Sequence, residues 1–314
     1  MKRLQMGAKL IFWTAVFFVL FFPNCCYCTA KSDSELSTLR AFFTATSHTR
    51  EEIESAQPQM IRIALDLGSS AIPILTKAIT HSEKAVSEIA ISCLIYIGGA
   101  EVKRLFQDMY TRTNDLSFKA AFCLTMASSG PSQDIPFLID ALEGERFGAE
   151  SIIPVTAAYS LAVLRPEQAR AALEKRAEKY QGAIPEEVKF ALARIKRTPW
   201  KTPQAKTALG IDSVIFSVMR FGIPYLEASD RYVDRKAHRI WKRTGNEWFY
   251  KTDKNNMPGL PSLMFDVFVT SHGNRSICSV SIGCGNVCGY GYDFILRKEN
   301  NEWQVVGLIP TYVS

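Results

Sequence analysis

Two different periods of apolar residues divide this chain. From residue 33 to residue 197 they recur every three or four positions, the spacing of one helix face. From residue 239 onward they alternate with polar residues, the spacing of a half-buried strand. Within the helical stretch, SEIAISCLIYIGG (87–99), SFKAAFCLTMASSG (117–130), VTAAYSLAVL (155–164) and VKFALARI (188–195) are versions of one apolar helix. Leu94, Leu124, Leu161 and Leu192 align, at steps of 30, 37 and 31 residues. Each version is paired with a second kind of helix: AIPILTKAI (71–79), EVKRLFQDM (101–109), DIPFLIDAL (134–142) and QARAALEKR (168–176). Gly98-Gly99, Gly130-Pro131 and Arg165-Pro166 punctuate the joints. Two cap helices are predicted in front. One covers Glu35 to Ala45, and the other starts at Thr49, which has capping-box spacing to Glu52, with an interruption near Pro58.

The paired segments, with the Ile-Pro-x-Leu starts at Ile72-Pro73-Ile74-Leu75 and Ile135-Pro136-Phe137-Leu138, resemble HEAT-like repeats of the short phycobilin-lyase type over residues 60–197. That resemblance implies an α-solenoid whose units bury their faces against their neighbours. It implies a surface for a protein or peptide partner, and it does not bring a lyase activity with it.

Composition changes abruptly at Arg197-Thr-Pro-Trp-Lys-Thr-Pro203, so a linker is expected over 198–204. Ile211, Val214, Ile215, Val218 and Phe221 then mark one amphipathic helix, stopped at Gly222-Ile-Pro224. Three hairpins follow over 239–251, 264–283 and 291–309, turning at Gly245-Asn246, Gly273-Asn274 and Asn300-Asn301. On the strand entering the third, Tyr290, Tyr292, Phe294 and Leu296 share a face, so burial of that face alone is expected. The expected architecture is multidomain: an all-α HEAT-like solenoid over 33–197, then a small α+β domain with an antiparallel sheet over 205–314. The sheet, ending in Glu302-Trp303-Gln304-Val305-Val306, is similar to the nuclear-transport-factor-2-like fold, a fold that hosts enzymes, ligand binders and dimerisation modules alike.

Residues 1–30 change where this protein is expected to work. Lys2, Arg3 and Lys9 precede an apolar run from Leu10 to Phe22, and Cys28-Thr29-Ala30 supplies small residues for a signal peptidase. A signal peptide cut after Ala30 is the first reading. The uncharged stretch from Leu10 to Ala30 is long enough to be an uncleaved membrane anchor instead, and lipidation at Cys25, Cys26 or Cys28 is a third reading. All three export the body of the protein, to the periplasm or to a membrane-anchored position outside the cytoplasm. The formal charge of +6 includes the three leader cations, so the remainder carries +3, too little to mark a nucleic-acid or membrane-surface binder. The membrane enters only through an uncleaved leader.

The candidate chemistry gathers in the C-terminal part. Five cysteines lie outside the leader, an odd number. Cys284 and Cys288 flank a Gly-Asn-Val turn and are the candidate disulfide in an oxidising compartment. Cys93, Cys123 and Cys278 read as buried free thiols, with an interchain bond through Cys278 as an alternative. His272, Cys278, Cys284 and Cys288 lack the two short ligand pairs of a structural zinc site. Their glycine neighbours do not spell a dinucleotide fingerprint either, so no metal or cofactor is assigned. The basic run from Arg231 to Arg243 reads as a solvated face. His272, Tyr290, Tyr292 and Trp303 form the candidate ligand pocket on the sheet. No residue set forms a catalytic constellation. The first functional expectation is therefore an exported, non-enzymatic interaction scaffold. The alternative is a small-ligand binder or hydrolase with its site in the C-terminal domain.

Overall fold

Each of the eight segments of the repeat pattern forms a helix over most of its described residues. The computed structural model describes residues 23–112, 115–128, 134–144, 152–180, 184–196, 211–224, 240–244, 247–251, 262–283 and 289–313. The helices are α1 (Pro23–Thr44), α2 (Arg50–Leu67), α3 (Ile72–Ala78), α4 (Lys84–Ile97), α5 (Gly99–Arg112), α6 (Leu116–Ser128), α7 (Ile135–Glu143), α8 (Ile152–Leu164), α9 (Arg170–Lys179), α10 (Glu186–Lys196) and α11 (Ile211–Phe221). A six-stranded antiparallel meander follows, in the spatial order β1 (Ile240–Thr244), β2 (Glu247–Lys251), β3 (Ser262–Val269), β4 (Arg275–Gly283), β5 (Gly289–Glu299) and β6 (Glu302–Val313). Helices followed by an antiparallel sheet are thus the observed order. Residues 1–22 of the expected leader, the linker expected over 198–204, Cys284, Cys288 and residues 231–239 of the basic run lie outside the described residues.

The chain divides into two compact units, one ending at Ala90 and the other beginning at Ile91, within α4. In the first, α1 packs on α2 and α3 and buries Leu39 and Phe43. His81 Nε2 donates to the Ala45 carbonyl at 2.9 Å, and its Nδ1 accepts from the Glu83 amide at 3.1 Å, which fixes the tautomer. The capping box is formed: Thr49 Oγ1 accepts from the Glu52 amide, and the Glu52 carboxylate accepts from the Thr49 amide. The interruption expected at Pro58 does not occur, because α2 runs through it to Leu67. Pro58 is exposed, so the carbonyl one turn earlier that loses its donor can be satisfied by water.

In the second unit the helices pack by type. α6 packs on α8 and α8 on α10, while α7 packs on α8 and α9, and α9 on α10. The aligned leucines are not equally buried: Leu94 and Leu161 are enclosed, whereas Leu124 and Leu192 are half-exposed. Columns buried in all four helices lie one position earlier, at Cys93, Cys123, Ser160 and Ala191, and four positions earlier, at Ala90, Ala120, Ala157 and Val188. The side chains of the first column are small, and they let helices approach closely. Ser160 Oγ donates to the Cys123 carbonyl at 2.7 Å, tying α8 to α6. Pro73 and Pro136 sit in the first turns of α3 and α7, where a missing N–H costs no helical bond.

The sheet closes with a two-residue turn in which Asn300 and Asn301 both have positive φ (49° and 68°), the twist that suits a tight hairpin. Its last strand, β6, packs against α6, α8 and α11, and α11 also covers β3 and β4. Burial of β5 therefore departs from the one-faced expectation. Tyr292, Phe294 and Leu296 are enclosed, and so is Ile295 on the opposite face. Helix ends meet that second face: the Tyr96 hydroxyl of α4 donates to Asp293, and Arg297 reaches the last carbonyl of α6.

Candidate functional site

The site of greatest chemical interest lies where α8, α10 and β5 meet. α8 is apolar on nearly every side, and Tyr159 is its one phenol, only 4% exposed. Its ring stands edge-on to Tyr292 of β5, with centroids 6.4 Å apart. The first residue of α10, Glu186, offers one carboxylate oxygen, Oε1, to both phenols. Tyr159 donates at 3.4 Å, and Tyr292 donates in a shorter bond. Burial holds the Glu186 carboxyl above the usual carboxylate range, against the lowering effect of the Tyr292 hydrogen bond. Its neighbour Glu187 is likewise raised by burial. Both phenols are pushed up, first by burial and then by nearby charge, so they remain donors at every pH at which the fold is expected to persist.

A second buried polar contact lies at the other end of α10, two turns along the same face. The Arg194 guanidinium stacks over the Phe221 ring, 3.9 Å from its centre, and donates to the Phe221 carbonyl at 2.6 Å. Phe221 in turn bridges Phe190 of α10 and Phe294 of β5, at 6.1 and 5.9 Å between ring centres. Chemically, these groups fasten helix to strand. The donors and acceptors of Tyr159, Glu186 and Tyr292 are turned on one another.

The sequence-derived pocket residues fall at different places. Tyr292 is buried and takes part in the Glu186 cluster. Tyr290 is half-buried at the β5 end that pairs with Ile282 and Val313. Trp303 shares their face but sits at the opposite end, paired with Lys298, whose ammonium lies 5.8 Å from its ring centre. His272 is exposed on the turn between β3 and β4, also at that opposite end. At about 3.3 Å per residue, Tyr290 and Trp303 stand roughly 25 Å apart along the sheet. The structure does not gather these four side chains at one place. The candidate disulfide Cys284–Cys288 lies outside the described residues.

Cys93, Cys123 and Cys278 are free and buried. Burial pushes the Cys123 thiol up to about 12 and the other two higher still, so none is an activated nucleophile. Because Cys278 is fully enclosed, an interchain bond through it would require the sheet to open. Among the described residues, no group of three or more His, Cys, Asp or Glu side chains could hold a metal ion. No described helix is long and apolar enough to cross a membrane.

Sequence reasoning missed Glu186, Tyr159 and Arg194. Two of them carried a signal: Tyr159 is the lone phenol of an apolar helix, and Arg194 interrupts the apolar stripe of VKFALARI. No protein-family model matches this chain, and a search of curated proteins finds no relative.

Proposed function

We propose that this is an exported interaction scaffold. Its helix pairs would form a HEAT-like solenoid that docks a protein or peptide partner, braced by the C-terminal sheet, whose form would be nuclear-transport-factor-2-like. The observation that carries this reading is the repeated buried column at Cys93, Cys123, Ser160 and Ala191, together with the succession of α6 on α8 on α10. A row of helices built on one spacing presents equivalent outward positions at regular intervals, which suits an extended partner better than a small molecule. The leader supports placement of the body beyond the cytoplasmic membrane, whether it is cleaved or retained as an anchor.

The test is site-specific photo-crosslinking of the full chain in its native cells. Probes go at the exposed positions Gln107, Asp140 and Glu178 on α5, α7 and α9, with a control at exposed Met264 on β3. One common adduct from the helical positions, absent at Met264, is the expected result. If the helical positions yield no adduct, or the same adducts as Met264, the scaffold reading fails. Intact mass before and after reduction reports leader removal, lipidation and any Cys284–Cys288 bond in the same preparation.

A further inference from the structure

Arg275 and Arg297 are register partners on β4 and β5, so both side chains stand on one face at the turn end of the sheet. Like charges placed directly opposite each other destabilise a strand pair unless something answers them. Part of the answer is visible. Arg275 Nη1 donates to the Ile97 carbonyl at 3.0 Å, and Arg297 Nη2 donates to the Ser128 carbonyl at 3.3 Å. Those carbonyls close α4 and α6, and each helix end offers about half a negative charge. The two ends also touch: a Cβ on Gly98 would collide with Ser128 Oγ. Both guanidiniums are therefore anchored to one small area and not splayed apart.

The remainder is unanswered. Two helix ends offset about half of the charge on two guanidiniums. Each guanidinium has five N–H donors, of which one is used among the described residues. Neither arginine has an acidic ion-pair partner among the described residues. Burial, and then the charge of Arg297, press Arg275 below the ordinary guanidinium value, so its charged form is under strain here. His272 and Asn274 are exposed on the adjoining turn, which leaves that end of the sheet open to solvent.

We propose that Arg275 and Arg297 form an oxyanion-binding site, which receives a carboxylate or phosphate group on the donors that the helix ends leave free. A planar guanidinium fork matches two oxygens of such a group, and two forks held side by side match it better than either alone. An anion seated there also cancels the repulsion across the strand pair. The site is independent of the scaffold reading, because it is built from the sheet and two helix ends and not from the outward helix faces.

The test uses the full chain. Heat unfolding is followed in sodium phosphate, sodium succinate and sodium chloride at equal ionic strength and pH, and phosphorus-31 line broadening reports phosphate binding directly. The expected result is a rise in Tm in phosphate or succinate beyond that in chloride, with phosphate broadening that the effective anion competes away. A response to phosphate alone identifies a phosphate group as the ligand, and one to succinate alone identifies a carboxylate. R275K and R297K retain the charge and a donor for the helix carbonyl but lose the fork, and each is expected to weaken binding by about tenfold or more. If Tm rises with phosphate or succinate only linearly and without saturation, as general exclusion of these salts from the surface produces, and phosphate is not broadened, the proposal is overturned. The same follows if binding survives unchanged in the R275K/R297K double variant. The wild-type titration decides the matter even if the double variant does not fold.

Discussion

Glu186 is held by two phenols that stay protonated, so its own charge is the variable in that cluster. Its folded-state pKa is raised, which means that the fold favours the protonated acid. The stabilisation is fully present below the unfolded carboxylate range and is lost as pH rises through the folded value. Glu186→Gln keeps an acceptor for the phenols and removes the charge. The variant is expected to gain stability relative to the parent as pH goes from 4 to 7, read from urea unfolding at each pH. A difference that does not change with pH contradicts this. Gly98 makes a separate demand, since it has φ of +57° and no room for a Cβ beside Ser128. Gly99 has φ of +88° but open space around it. A left-handed alanine costs about 1–2 kcal/mol. G99A should lose about that much, and G98A at least about 1 kcal/mol more because Ser128 must move. Equal losses in denaturant unfolding would show that the approach of α4 to α6 is not tight.

At the scale of elements, local rules were legible wherever a residue acts on its own neighbours. The Thr49–Glu52 box starts α2, Pro73 and Pro136 lie in first helical turns, and the paired asparagines turn the last hairpin. Pro58 shows the limit of such rules. A proline inside a helix costs about 3 kcal/mol in isolation, yet α2 continues, with Met60, Ala64 and Leu65 buried beyond it. Pro58→Ala should restore the missing hydrogen bond and stabilise the protein by about 1–2 kcal/mol, after allowance for the greater freedom of the unfolded chain. Loss of stability in the same unfolding assay would mean that the proline ring itself packs. The aligned leucines show a different limit. Alignment on the leucines found the four helices, yet two of those leucines are half-exposed, while the small residues one position earlier are buried in all four.

At the scale of the molecule, the sequence periods report helices and strands but not what those elements lean on. The repeat reading assigns each helix face to the next helix. It has no place for Tyr96, Tyr159, Glu186 and Arg194, whose partners lie on the sheet or at its covering helix. These pairings join residues far apart in the chain, and no local spacing encodes them. Glu186 looks like a solvent-facing charge until the sheet is in view. The described residues of 91–313 are therefore a helix row braced by a sheet, and that bracing is the claim to test first. Hydrogen exchange of the full chain, with and without Tyr292→Phe, does so directly. Loss of that one hydroxyl in β5 is expected to lower protection together in β5, β6, α8 and α10. Faster exchange confined to the strands, with α8 and α10 unchanged, would contradict it.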